Sequence, residues 1–254
     1  MKETSAVQAC PLIIDGIRLS SIAANICYPD RNDLVLIELA EGSNVAAVFT
    51  QNAFCAAPVQ IARKHLQLAT PRYLLINSGN ANAGTGAAGL DAALACCSGI
   101  ANIVQSEANE VLPFSTGVIG EALPVDKITN CLAELYTGLD AEHWQNAAEA
   151  IMTTDTVPKL FSAKVEIDGQ IINLTGMAKG SGMIRPDMAT MLSYIATDAK
   201  IDAEKLKTCL QHAVDRSFNR ITVDGDTSTN DACMIISTGK ANNTLIDSCD
   251  SDGF

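Results

Sequence analysis

The sequence predicts an α+β fold, a layered α/β sandwich in place of a doubly wound sheet. Three observations predict it. Apolar residues make up 48% of the 254 positions and charged residues 18%, the composition of a globular chain long enough to bury a sizeable core. Short apolar runs of strand length mix with longer helical segments without strict alternation, and strict alternation is what a parallel doubly wound sheet requires. Asp168-Gly169 stands between two strand-like runs, a two-residue hairpin signal that implies antiparallel pairing. The length is compatible with one large domain or two small ones.

The elements follow in order. Leu34 to Leu39, Val45 to Phe49 and Tyr73 to Ile76 read as strands. Ala87 to Gln105 is rich in Ala and reads as a helix, with Gly99 as its weak point. Asp126 to Tyr136 and Asp140 to Met152 read as two more helices, with Asp126 and Asp140 as N-caps. Leu160 to Ile167 and Gln170 to Leu174 are the arms of the hairpin. Met191 to Ala196 reads as a buried strand, Asp202 to Ser217 as a helix and Ala232 to Ser237 as a strand. No internal repeat or low-complexity linker is visible, and the last residues, Asp250 to Phe254, show no finished element.

Charge and composition exclude several classes. A net charge of −12 argues against a nucleic-acid partner, because phosphate binding needs surplus Lys and Arg. No apolar run is expected to approach the roughly 20 residues that span a bilayer. Met1 to Ile14 lacks the apolar stretch of a secretory signal. A soluble cytoplasmic protein is expected. The nine cysteines form no CxxC pair and the three histidines lie far apart, so no metal site and no cofactor is expected, and the thiols are expected to be free and mostly buried.

The densest cluster of unusual residues runs from Gly176 to Leu192, GMAKGSGMIRPDMATML. Gly176, Gly180 and Gly182 permit tight backbone, and Pro186 fixes its own φ and restricts Arg185. Thr190 follows the small residue Ala189 at the head of an apolar strand. Read alone, Thr190 is an ordinary β-branched strand residue. The chemical reading is different. A strained loop would aim its hydroxyl at the Ala189 carbonyl, drive an N-to-O acyl shift and, after hydrolysis, free an N-terminal threonine. Its own α-amine, with a pKa near 8, would then serve as the base, so no histidine is required. Ser115 to Gly120 (STGVIG) sets a hydroxyl beside an unhindered backbone N–H, as an oxyanion hole needs; the plain alternative is a turn. Met152 to Thr156 (MTTDT) supplies several hydroxyls after a helix; the plain alternative is a solvated helix end.

STGVIGEALP, MTTDTVPK, GMAKGSGMIRPDMATML and NRITVDGDTSTND, in that order, resemble the motifs of the ornithine acetyltransferase family, the bifunctional glutamate N-acetyltransferases, and INSGNANAGTG resembles its N-terminal signature. The matches spread from about residue 12 to residue 240. The resemblance implies a sandwich of the ornithine acetyltransferase/DmpA-like type, incomplete at the C-terminus, with segment 1–189 ending at an autocleavage bond and segment 190–254 a shortened second piece. It implies Thr190 as nucleophile, Ala189–Thr190 as the bond cleaved, Thr116 and Gly117 as the oxyanion pair, and Thr153, Lys179 and Thr190 as substrate contacts. Lys179 suits substrates that carry carboxylates. The implied reaction moves an acetyl group from N-acetylornithine to glutamate through acetyl-threonine in arginine biosynthesis. In the bifunctional branch acetyl-CoA also serves as donor. An oligomer of cleaved pieces is expected, without nucleic acid or membrane. Arg185 departs from the family's pattern and adds a cation near the cleavage bond. Because the family's chains are longer, weak or no turnover is expected of this chain alone.

Two other readings stand beside this one. Gly84-Thr-Gly-Ala-Ala-Gly89 is a literal GxGxxG with Glu107 18 residues beyond, the pattern of a dinucleotide-binding oxidoreductase. A loop from Asn77 to Ala83 where a tight turn is expected, and the lack of a clear following parallel strand, speak against it. The other is an inactive shortened relative. The serine-using aminopeptidase branch of the broader fold is disfavoured by Thr190 and TTDTVPK.

Overall fold

The computed structural model describes residues 10–185 and 191–248. Among the described residues, nine strands form two sheets. One has four strands in the order β1 (Ile17–Ile22), β2 (Leu34–Leu39), β4 (Tyr73–Asn80), β5 (Val111–Val118). The other has five in the order β3 (Asn44–Phe49), β9 (Ala232–Ser237), β8 (Leu192–Thr197), β7 (Gln170–Lys179), β6 (Lys159–Ile167). Both sheets are mixed: β4–β5 and β8–β9 run parallel and the other pairs antiparallel.

The period of two along each strand sorts residues into layers. On one face Val35, Ile37, Leu74, Ile76, Leu112 and Phe114 meet Met177, Leu192, Tyr194, Met234 and Ile236 of the other sheet. Phe114 and Tyr194 touch edge to face across this interlayer, with ring centroids 5.3 Å apart. On the opposite face Leu34, Leu36, Leu75 and Val111 pack with helices α2 (Gly86–Val104) and α3 (Val125–Thr137), while α1 (Ala57–Leu68) lies against β5 and α2. The outer face of the five-stranded sheet carries Ala46, Cys233 and Ile235 under Leu206, Leu210 and Val214 of α5 (Ala203–Arg216). Helix α4 (Trp144–Ala150) adds Trp144 to the interlayer core. The result is the expected α+β layered sandwich.

Several expectations change. β1, α1 and β5 emerge where the sequence reading places no element. Asp126 lies in the first turn of α3, whose N-cap is Pro124. Asp140 caps no helix, because its backbone pairs with Leu19 of β1; α4 starts after His143 and is only 7 residues long. Gly99 does not weaken α2: a Cβ there would lie 2.6 Å from Leu132 Cδ1, so glycine lets α3 approach. α2 has the expected length, shifted by one residue, but is more apolar than expected. Its 19 residues hold a window of mean hydropathy 1.6, enough by length and composition to cross a membrane. Its buried side, with Ala93, Cys96, Cys97 and Ile100, covers the four-stranded sheet, and Asp91 and Asn102 are exposed. Three of the eight described cysteines are buried, so the thiols are not mostly buried; Cys249 lies outside the described residues.

Candidate active site

A cavity of about 370 Å³ opens between the sheets, within the size range of small-molecule sites. It forms where the C-terminal ends of β4 and β5 face the end of β7 and the starts of β8 and β9. One side chain ties the layers together there: Asn230 Nδ2 donates to the carbonyls of Ala81 (2.7 Å) and Ser115 (2.9 Å).

Thr116, Gly117, Thr153 and Lys179 all line this cavity, although they lie in three separate stretches of sequence. So does Met191, the residue after Thr190. Ala189 and Thr190 themselves lie outside the described residues. Thr116 and Gly117 belong to the C-terminal end of strand β5, not to the turn that the plain reading of STGVIG expects. Gly117 has φ +136°, and a Cβ there would sit 2.2 Å from the Gly79 carbonyl carbon, so β4 and β5 can cross at this point only with glycine.

Lys179 ends β7 and is buried. Its ammonium donates to Thr116 Oγ1 at 2.9 Å. Burial lowers its pKa from the ordinary lysine value, against the attraction of Asp155 and Asp231. Asp155 is no part of a solvated helix end. Burial would raise its pKa, but the ion pair with Lys159 and the Gly180 N–H at 2.8 Å outweigh it and hold the carboxyl below the ordinary range. Asp231, at the start of β9, is 2% exposed. Burial pushes its carboxyl up to about 8, despite bonds from the Ser228 hydroxyl and the Met191 backbone N–H and the attraction of Lys179. The residue after Thr190 is therefore held by a buried carboxyl. A lysine held below its ordinary pKa and a carboxyl held above its own, both by burial, line one cavity wall, which is where perturbed groups of a functional site gather.

Asp155 and Asp231 stand inside the MTTDTVPK and NRITVDGDTSTND motifs but are not among the site residues that the sequence predicts. The i,i+4 spacing of Asp155 and Lys159 was a visible signal. Nothing local marks Asp231, whose shift arises from burial. Arg31 and Asp33, from the loop before β2, also line the cavity and carried no sequence signal.

GxGxxG does not build a second site. A following parallel strand exists after all, since β5 pairs in parallel with β4. The loop is nevertheless filled from within: Thr85 Oγ1 donates to Asn82 Oδ1 at 2.9 Å, and a Cβ on Gly89 would lie 1.9 Å from Thr85 Oγ1. Gly89 thus makes room for Thr85, not for a pyrophosphate. Among the described residues, no group of three or more His, Cys, Asp or Glu is placed to hold a metal.

Known proteins resemble this chain in sequence and in fold. The arginine biosynthesis bifunctional protein ArgJ of Methylococcus capsulatus is 55% identical over 246 residues, which are 97% of this chain and 60% of that protein. This chain thus spans about 60% of the length of that curated relative. The structure of arginine biosynthesis bifunctional protein ArgJ from Bacillus halodurans matches with a TM-score of 0.69 and 34% identity, over 74% of this chain and 98% of that one. Ornithine acetyltransferase of Mycobacterium tuberculosis, solved with ornithine, matches with a TM-score of 0.65 and 33% identity, over 72% of this chain and 98% of that one. The ArgJ family profile matches residues 18–252, from β1 to beyond β9 and through every segment that lines the cavity; the chain belongs to the ArgJ family.

Proposed function

We propose that this chain carries the acyl-transfer site of a glutamate N-acetyltransferase that moves an acetyl group from N-acetylornithine to glutamate, with Thr190 as nucleophile. The observation that carries the proposal is the convergence of Thr116, Gly117, Lys179 and Met191 on one cavity. Thr190 is the residue that precedes Met191 in the sequence. The Thr190 hydroxyl attacks the acetyl carbonyl and passes its proton to its own α-amine. The Thr116 hydroxyl and the Gly117 N–H take the oxyanion. Ornithine leaves with that proton on its nitrogen. The glutamate amine then attacks acetyl-threonine and restores the free hydroxyl. Lys179 takes a substrate carboxylate, Thr153 a second polar group, and Thr116 is oriented by the bond it accepts from Lys179.

The α-amine becomes available only when the Ala189–Thr190 bond is cut, by acyl shift to the Thr190 hydroxyl and hydrolysis by water. The sheet order supports such a cut without loss of the fold. β8 and β9, from segment 190–254, lie between β3 and β7, from segment 1–189, so hydrogen bonds and the interlayer core hold both pieces after cleavage. The match to Bacillus halodurans ArgJ supports it too: 74% of this chain, about 188 residues, accounts for 98% of that chain, close to the length of segment 1–189. The cleaved pieces form the working assembly, in the cytoplasm, and acetyl-CoA is a second donor.

Intact mass under denaturing conditions tests the proposal. Expected are two products, one ending at Ala189 and one starting at Thr190, with N-acetylornithine adding an acetyl group to the second; Thr190→Ala stays whole. Acetyl found on any other residue, or persistent full-length mass in a chain extended to the length of the relatives, overturns it.

A further inference from the structure

Lys179 shares the cavity wall with a second cation, Arg31, in the loop between β1 and β2. The two are held differently. Lys179 faces Asp155 and Asp231 and donates to Thr116. Arg31 donates to the carbonyl of Met152, just past α4, which fixes the guanidinium against the wall. The carboxylate near it, Asp33, is committed elsewhere: its two oxygens accept the backbone N–H groups of Ala24 (2.7 Å) and Ile26 (2.6 Å). The ion pairs among the described residues are Arg18–Glu38 and Lys159–Asp155. A guanidinium has five N–H donors in a planar fork that matches a carboxylate, so Arg31 keeps donors for a ligand.

The two substrates of the proposed reaction share an α-nitrogen and an α-carboxylate and differ at the far end of the side chain. Ornithine ends in an ammonium and glutamate in a carboxylate. A site that alternates between them needs one cation near the reacting atoms for the shared carboxylate, and Lys179, bonded to Thr116, stands there. It needs another where the side chains end.

We propose that Arg31 is that second cation, a specificity residue that takes the side-chain carboxylate of the glutamate acceptor and contributes nothing favourable to ornithine. The inference rests on the acyl-transfer reading above and deepens it.

Calorimetric titration of L-glutamate, L-ornithine and acetyl-CoA into the wild type, Arg31→Gln and Arg31→Lys tests it without requiring turnover. Gln removes the charge while keeping a polar side chain, and Arg31→Lys keeps the charge without the planar fork. Loss of a charged two-point contact predicts that Arg31→Gln weakens glutamate by about ten-fold or more, with Arg31→Lys in between. Ornithine binding should stay within about two-fold or tighten, because a repelling charge is removed. Acetyl-CoA binding should not change. Equal glutamate affinity in wild type and Arg31→Gln, a parallel loss of glutamate and ornithine, a loss confined to acetyl-CoA, or no glutamate binding by the wild type would each overturn the assignment. If the chain fails the mass test but gives the expected titrations, the cavity recognises glutamate without the threonine chemistry, and the two readings are separated.

Discussion

Replacing Asp231 by Asn removes a titratable proton at the cavity while leaving an oxygen for the Met191 N–H. In the folded chain this carboxyl stays protonated up to about pH 8; its ordinary value is 3.8. The folded state therefore holds one more proton than the unfolded state between those limits. Stability is full below the lower value, falls as pH rises through the window and levels off above the upper one. Each pH unit inside the window is worth about 1.4 kcal/mol, so the wild type should lose about 4 kcal/mol between pH 5 and pH 8 from this group. Asn titrates nowhere, and whatever its amide costs is the same at every pH. The stability difference between Asp231→Asn and wild type should thus move in the variant's favour by about 4 kcal/mol from pH 5 to pH 8. Lys179 and Asp155 face the same carboxyl region and titrate in both proteins. Urea unfolding at four pH values, followed by fluorescence, measures this. Trp144 is the only tryptophan and is 1% exposed, so its emission reports loss of the interlayer core. A constant offset between the two proteins across the range would refute a buried, protonated Asp231.

Three other outcomes are expected. Gly117→Ala forces a Cβ to 2.5 Å from Asn80 N; about 2 kcal/mol or more of stability should be lost, and self-cleavage should disappear from the mass spectrum, so cleavage at the wild-type extent would contradict it. Tyr194→Phe removes a buried hydroxyl that has no hydrogen-bond partner among the described residues while keeping the ring against Phe114; a melting curve should show no loss and a gain of up to about 1 kcal/mol. Asp202 accepts from the N–H groups of Glu204 (3.1 Å) and Lys205 (3.2 Å) at the start of α5; Asp202→Ala should cost about 1 kcal/mol, and hydrogen exchange should quicken first at those two amides.

Elements with a strong local pattern were legible. The runs that became β2, β3, β8 and β9 are continuous and apolar because each is packed on both faces or beneath a helix. Asp168-Gly169 does turn the β6–β7 hairpin, with φ of +51° and +77°. β5 was hidden by Pro113, which normally argues against a strand. It is tolerated because β5 is the edge of its sheet, where one side needs no donor. β1 was hidden by its polar residues Arg18, Ser20 and Ser21, and only pairing with β2 makes it a strand. α4 came out shorter than its pattern because pairing with Leu19 draws Asp140 out of the helix.

The site divides along the same line. The sequence by itself determined the motifs, the glycines that permit close backbone and a threonine behind a small residue, since these depend on a few neighbouring positions. Tertiary structure alone decided that Thr116, Lys179 and Met191 share a wall, that Arg31 and Asp231 join them, and that a carboxyl there keeps its proton. Burial and desolvation depend on what the rest of the chain brings near a group, and β3 and β9, neighbours in one sheet, pair residues such as Asn44 and Ser237 from far apart in the sequence.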